Sequence, residues 1–123
     1  MNTNLKILYV DDEYINLELF QTNFSENYEV FIAEDGFNGL EILKKHHDIT
    51  IVISDMKIPN MDGIEFIQKA KESYPGIKYF ILTGLEITQK IREALDSGLI
   101  LKYFSKIFNI NDIETSIRKY LNN

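Results

Sequence analysis

Five polar side chains that suit cation and phosphate chemistry stand at the ends of short apolar runs. They are Asp11, Asp12, Asp55, Thr83 and Lys106. The runs LKILYV, TIVIS, KYFIL and KYFS that lead to them are typical of buried strands. If these runs form parallel strands of one sheet, their carboxyl ends share an edge, where sheets of this kind bind ligands. We therefore expect three carboxylates, one hydroxyl and one amine in a single pocket.

This set of groups points to phosphoryl chemistry on a carboxylate. A carboxylate can be phosphorylated to an aspartyl phosphate, and the transfer depends mainly on positioning and on neutralising the phosphoryl oxygens. Mg²⁺ neutralises them when one or two carboxylates hold it and the phosphoryl group supplies another oxygen. Asp55 is the candidate phosphoacceptor. Asp12 and Asp55 are candidate direct ligands of Mg²⁺ or Mn²⁺, and Asp11 would bind directly or through water.

The other groups would hold the phosphoryl oxygens. Lys106 would pair with one oxygen and, before phosphorylation, with Asp55. Thr83 would donate a hydrogen bond to another oxygen. The backbone N–H groups of Lys57 and Gly84 would complete the cradle, and Gly84 lets the chain approach closely because it has no Cβ. The backbone of Lys57 is also a candidate metal contact.

The elements that must position these groups follow from hydrophobic periodicity. Strands are predicted at residues 5–10, 29–33, 50–54, 78–82 and 102–105. Five amphipathic helices between and after them are marked by apolar stripes: Leu17, Phe20 and Phe24; Phe37, Leu40 and Leu43; Phe66, Ala70 and Tyr74; Ile87, Ile91 and Ala94; Ile110, Ile113, Ile117 and Leu121. This alternation predicts an α/β fold with a doubly wound parallel sheet and helices on both faces.

Length and composition narrow the function. The 123 residues suit one domain spanning 1–123. With 19 acidic and 13 basic residues, the net charge of −6 argues against nucleic-acid binding. The lack of cysteine excludes disulfides, thiolate catalysis and Cys-ligated zinc. The start of the chain does not resemble a signal peptide, and no apolar run is long enough for a membrane span, so we expect a cytoplasmic protein.

The chain resembles a response-regulator receiver domain of two-component signalling, similar to chemotaxis regulators, over essentially its whole length. The matching segments are VDDE at residues 10–13, SDMKIPNMDG at 54–63, TG at 83–84 and YFSK at 103–106. The resemblance implies a flavodoxin-like (βα)5 fold with strand order 2-1-3-4-5. It implies that Asp55 accepts phosphate from a histidine kinase or a histidine phosphotransfer protein, and that Asp11 and Asp12 are the acidic metal pair.

The resemblance also implies a switch. Thr83 and Lys106 would be the switch hydroxyl and the phosphate-binding lysine, and Tyr103 the switch aromatic. Phosphorylation would draw Thr83 inward, Tyr103 would follow, and the surface of helix 4, strand 5 and helix 5 would change. A downstream effector protein or a fused output domain would bind there, and phosphorylation could also drive dimerisation. Such a domain catalyses its own phosphorylation and slow autodephosphorylation.

Three features depart from the family pattern. Ile107 replaces the proline that usually follows the lysine in a cis peptide, and a non-proline cis bond costs about 3 kcal/mol. The segment between Gly98 and Tyr103 is one residue longer than usual, which questions the register of strand 5. Lys57, two residues after the phosphoacceptor, could reach the phosphoryl group and hinder an attacking water.

Two other functions remain open at this point. A phosphorylation-independent docking module would keep the fold without the chemistry. An aspartyl-phosphate phosphatase would usually carry a second acid where this chain has Lys57, which disfavours it. Asp62 is predicted to cap the third helix, and Thr83 and Tyr103 could serve only as strand and core residues.

Overall fold

The computed structural model describes residues 5–84, 86–106 and 110–121. In these ranges strands and helices alternate in the order β1 Lys6–Val10, α1 Tyr14–Phe24, β2 Glu29–Ala33, α2 Gly36–Lys45, β3 Ile51–Ser54, α3 Gly63–Ser73, β4 Lys78–Thr83, α4 Gln89–Asp96, β5 Lys102–Ser105 and α5 Ile110–Leu121. None of the helices in this described part combines the length and the apolarity needed to cross a bilayer.

The strands form one parallel sheet in the order β2-β1-β3-β4-β5, which confirms the predicted flavodoxin-like fold. The predicted strands agree with the observed ones to within one residue. The main difference is that β4 includes Thr83, which pairs with Ser105 in β5. The fifth strand covers the predicted residues 102–105, so the longer segment before it does not displace the strand.

Helices on the two faces of the sheet bury two apolar layers. On one face, α1 and α5 cover residues such as Tyr9 and Phe80. On the other face, α2, α3 and α4 cover residues such as Val10 and Ile81. Neighbouring residues of a strand enter opposite layers because side chains alternate across a strand. Each fully buried large apolar side chain contributes about 1.5–3 kcal/mol, so the sheet is a rigid support for the loops at its carboxyl edge.

Side-chain caps fix where the helices begin at this edge. Asp62 accepts a hydrogen bond from the N–H of Glu65 at 2.8 Å, and the Glu65 carboxylate accepts from the N–H of Asp62 at 3.1 Å. This capping box confirms the role predicted for Asp62, and an N-cap side chain is worth about 1 kcal/mol. The cap starts α3 directly after the loop that carries Asp55.

The stripe predicted for α2 is partly wrong. Phe37 was predicted to face the core, but 56% of its surface is exposed. The buried residues of α2 are Gly36, Gly39 and Leu43. A Cβ at Gly39 would lie 2.9 Å from the ring of Phe66, so the ring or the helix would have to shift if any other residue stood there. A search for apolar side chains does not detect a glycine on a buried helix face. The predicted stripe therefore included Phe37 and left out Gly36 and Gly39.

The apolar stripes predicted for α3 and α4 each include one residue outside the helix. Tyr74 follows α3 as its C-cap residue, and Ile87 precedes α4. Both side chains still pack against the apolar layer on the α2–α3–α4 face. The predicted packing is therefore confirmed for these two residues, although they are only partly buried and lie outside the helices.

Candidate functional site

The parallel ladder brings the predicted groups to one edge of the sheet. Asp11, Asp55 and Lys106 each follow a strand directly, and Thr83 is the last residue of β4. The backbone N–H of Asp55 donates to the carbonyl of Val10 at 2.8 Å, and that of Lys106 donates to the carbonyl of Thr83 at 2.8 Å. These bonds extend the strand pairing beyond β3 and β5 and hold the side chains in register.

Lys106 bridges two buried carboxylates. Its Nζ lies 2.6 Å from Asp55 Oδ2 and 2.8 Å from Asp11 Oδ2. The exposed fractions of the side chains are 19% for Lys106, 8% for Asp55 and 0% for Asp11. Because little water screens this cluster, its charges interact strongly. Glu13 lies at the rim, with Oε1 4.0 Å from Nζ.

Burial and charge act against each other in this cluster. Burial raises the pKa of Asp55 above its ordinary value, and the charge of Asp11 adds to the rise. Lys106 and the backbone N–H of Lys57 lower the pKa of Asp55 and offset only part of the effect. Burial lowers the pKa of Lys106, but hydrogen bonds to Asp11 and Asp55 outweigh burial and raise it. Lys106 is therefore a cation at neutral pH, and it is placed between two buried acidic side chains.

The carboxylates form a donor set compatible with Mg²⁺. Asp11, Asp12 and Asp55 each offer one oxygen, and these three oxygens lie within 4.8 Å of one another. Asp11 and Asp55 are buried, whereas Asp12 is exposed and reaches the cluster from the solvent side. Mg²⁺ prefers oxygen ligands and usually keeps several waters, so a cluster with one open side suits it.

Asp11 is held by further donors. Its Oδ1 accepts from the backbone N–H of Glu13 at 2.9 Å. Its Oδ2 accepts from the hydroxyl of Tyr9 at 2.6 Å, in addition to Lys106. Burial and this hydrogen bond raise the pKa of Tyr9 well above its ordinary value. We did not predict Tyr9 as a site residue. The sequence could have indicated it, because residues two positions apart in a strand point to the same face and Tyr9 stands two positions before Asp11.

Gly63 fixes the backbone of the Asp55 loop and was also not predicted as a site residue. Its N–H donates to the carbonyl of Met56 at 2.7 Å. A Cβ at this position would lie 2.3 Å from the carbonyl oxygen of Asp55. The first turn of α3 therefore packs directly on the peptide that carries the phosphoacceptor.

The remaining predicted residues surround the cluster. Thr83 is 1% exposed and lies on the same sheet face as Ile81, towards α3 and α4. Tyr103 pairs with Ile81 and packs, partly buried, on that same face. Gly84 is exposed, and a Cβ there would lie 3.4 Å from the Lys106 Cβ. Lys57 has an exposed side chain. Ile107 and its peptide bond lie outside the described residues.

Comparison with known proteins identifies the family. The sequence model of the response regulator receiver domain matches residues 7–118. The chain belongs to this family. Response regulator receiver domains work with histidine kinases and output domains, so two-component signalling is the setting of this domain.

Relatives and solved structures agree with this assignment. Sporulation initiation phosphotransferase F of Bacillus subtilis is 38% identical over 119 residues, which are 96% of this chain and 94% of that protein. Response regulator protein VraR of Staphylococcus saprophyticus is 29% identical over 97% of this chain, and the matched region is 57% of VraR. A CheY-like receiver domain protein from Methanospirillum hungatei has a TM-score of 0.87 at 29% identity, with 98% of this chain and 95% of that chain covered.

Proposed function

We propose that this receiver domain takes a phosphoryl group onto Asp55 from a phosphohistidine of a histidine kinase or a histidine phosphotransfer protein. The observation that carries the proposal is the bridge of Lys106 Nζ to Asp55 at 2.6 Å and to Asp11 at 2.8 Å, with Asp12 in the same oxygen cluster. The name of the Bacillus subtilis relative, a phosphotransferase, supports a role in phosphoryl transfer.

The reaction is a displacement at phosphorus. A carboxylate oxygen of Asp55 forms a bond to phosphorus, and the bond from phosphorus to the imidazole nitrogen of the donor breaks. The electron pair goes to that nitrogen, which takes up a proton as the imidazole leaves. Lys106, the hydroxyl of Thr83 and the backbone N–H groups of Lys57 and Gly84 stabilise the phosphoryl oxygens as charge develops on them.

Asp11, Asp12 and Asp55 would hold Mg²⁺ or Mn²⁺, together with the backbone of Lys57. Their oxygens fit such an ion because they are hard donors, lie close together and carry more negative charge than Lys106 neutralises. When bound, the ion supplies positive charge to the phosphoryl oxygens. The chain itself aims the carboxylates through the strand ends and the donors to Asp11.

The output is a change of the surface formed by α4, β5 and α5. Thr83 and Tyr103 share the sheet face that α4 covers, so a movement of Thr83 towards the phosphoryl group opens space next to Tyr103. Phosphorylation would then shift a two-state equilibrium through new charge and hydrogen bonds. The partner would be an effector protein, a fused output domain or a second phosphorylated copy.

Intact mass spectrometry with acetyl phosphate as donor tests the chemistry. The wild type should gain one phosphoryl group only in the presence of Mg²⁺, and Asp55→Asn should gain none. Asp48→Asn is the matched control, because Asp48 is an exposed aspartate that pairs with Lys6 away from the cluster. If the folded wild type binds Mg²⁺ but gains no mass, the proposal is wrong and the domain is a docking module.

A further inference from the structure

One oxygen of Asp11 accepts two hydrogen bonds from different side chains. Tyr9 donates to Asp11 Oδ2 at 2.6 Å, and Lys106 Nζ lies 2.8 Å from the same oxygen. The Tyr9 contact has the length of a strong O–H···O⁻ bond. Tyr9 and Asp11 are both almost fully buried, at 1% and 0% exposure, so the hydrogen bond between them is shielded from bulk water.

This sharing matters because Lys106 has a second task. In the proposed function, its ammonium group binds a phosphoryl oxygen on Asp55, and a strong contact there draws Nζ away from Asp11. A buried anionic oxygen without a donor is costly. With Tyr9 in place, Asp11 Oδ2 keeps a hydrogen-bond donor when Lys106 moves, in addition to the metal contact proposed for Asp11.

We propose that Tyr9 is a positioning residue whose hydroxyl keeps Asp11 Oδ2 satisfied and thereby frees Lys106 to bind the phosphoryl group. The inference rests on the proposed function of Asp55 and Lys106. Tyr9 acts through Asp11 and touches neither the donor nor the transferred group.

The hydroxyl of Tyr9 can be separated from its ring. The ring stacks on Phe20 with centroids 4.3 Å apart and an interplanar angle of 13°. A phenylalanine would keep this stacking and lose only the donor to Asp11. Tyr79 is a matched control because it is also 1% exposed, and its hydroxyl donates to the backbone carbonyl of Tyr74 at 2.8 Å, on the part of β4 that is remote from Thr83.

The test uses beryllofluoride, a phosphoryl mimic that binds an aspartate, at saturating Mg²⁺. Its dissociation constant is measured by NMR for the wild type, Tyr9→Phe and Tyr79→Phe, and the Lys106 ammonium resonance is followed in each. Loss of one hydrogen bond to a charged group should weaken beryllofluoride binding by about tenfold in Tyr9→Phe. Tyr79→Phe should bind as the wild type does. The Lys106 resonance should shift on binding in the wild type and shift less in Tyr9→Phe.

The other outcomes of this experiment would overturn either the role of Tyr9 or the proposed function. Equal affinity of Tyr9→Phe and the wild type, or equal weakening in both variants, would show that the Tyr9 hydroxyl is only structural and would overturn the inference. If the folded wild type does not bind beryllofluoride, the proposed function fails, and the role of Tyr9 fails with it.

Discussion

Replacing Gly63 with alanine should slow the phosphorylation of Asp55 while the domain still folds. The added Cβ would lie 2.3 Å from the Asp55 carbonyl oxygen and 3.0 Å from Ile81 Cδ1. Contacts under 3.0 Å are essentially never seen for a real Cβ, so the backbone at Asp55 or at Gly63 must retreat by about 0.7 Å or more. The obstructing atom belongs to the backbone, and a rotamer change cannot relieve the clash.

This retreat has two calculable consequences. Overpacking of this kind destabilises a protein by about 1–3 kcal/mol. A displacement approaching 1 Å at a reacting group can slow a reaction by about 100-fold, and here it also disturbs the 2.6 Å contact between Asp55 and Lys106. We therefore expect Gly63→Ala to fold but to accept a phosphoryl group at least about tenfold more slowly.

Urea unfolding and the rate of mass gain with acetyl phosphate and Mg²⁺ measure the two effects. Gly76→Ala is the control, because a Cβ at Gly76 meets no atom within 4 Å. This variant should keep the wild-type rate and the wild-type free energy of unfolding, or gain slightly in stability. A Gly63→Ala protein with wild-type stability and rate would refute the close packing of α3 on the Asp55 peptide.

Three further predictions concern the cluster. Thr83→Ala should accept phosphate but show much smaller phosphorylation-induced NMR shifts near α4; an unaltered shift pattern would contradict the switch role. Lys57→Asn should shorten the lifetime of the phosphoform several-fold, whereas Lys69→Asn, a second exposed lysine, should not; equal lifetimes in all three proteins would exclude shielding by Lys57. The pKa of Asp55 in the folded state is raised above its ordinary value of 3.8. Between pH 3.8 and the raised pKa, the folded state therefore binds more protons than the unfolded state. The free energy of unfolding consequently falls as the pH rises through this range. Without divalent cations, Asp55→Asn should therefore raise the melting temperature at neutral pH by about a few degrees; a lower melting temperature would contradict this sign.

Much of the fold followed from the sequence because its signals are local. The apolar runs end at turn-forming residues, so the strands could be located to within one residue. The convergence of Asp11, Asp55 and Lys106 followed from a single rule, that parallel strands share a carboxyl edge. No distance information was needed, because each of these residues directly follows a strand.

The features that were not predicted depend on packing in three dimensions. Phe37 is exposed, whereas Gly39 lies on the buried face of α2 next to Phe66, and helical periodicity gives glycine no weight. Gly63 was not singled out because its contact with the Asp55 carbonyl depends on the path of the loop between them. The hydroxyl of Tyr9 was not singled out because an aromatic residue in an apolar strand is usually a core residue.

Identification of the modified residue tests the central claim most directly. Borohydride reduces an aspartyl phosphate to homoserine, which marks the phosphorylated position permanently. The wild type would be phosphorylated with acetyl phosphate and Mg²⁺, reduced, digested and sequenced by tandem mass spectrometry. The account predicts homoserine at position 55 and at no other aspartate, with no homoserine when Mg²⁺ is omitted. Homoserine at Asp11 or Asp12, or no homoserine in a protein that has gained a phosphoryl group, would contradict it.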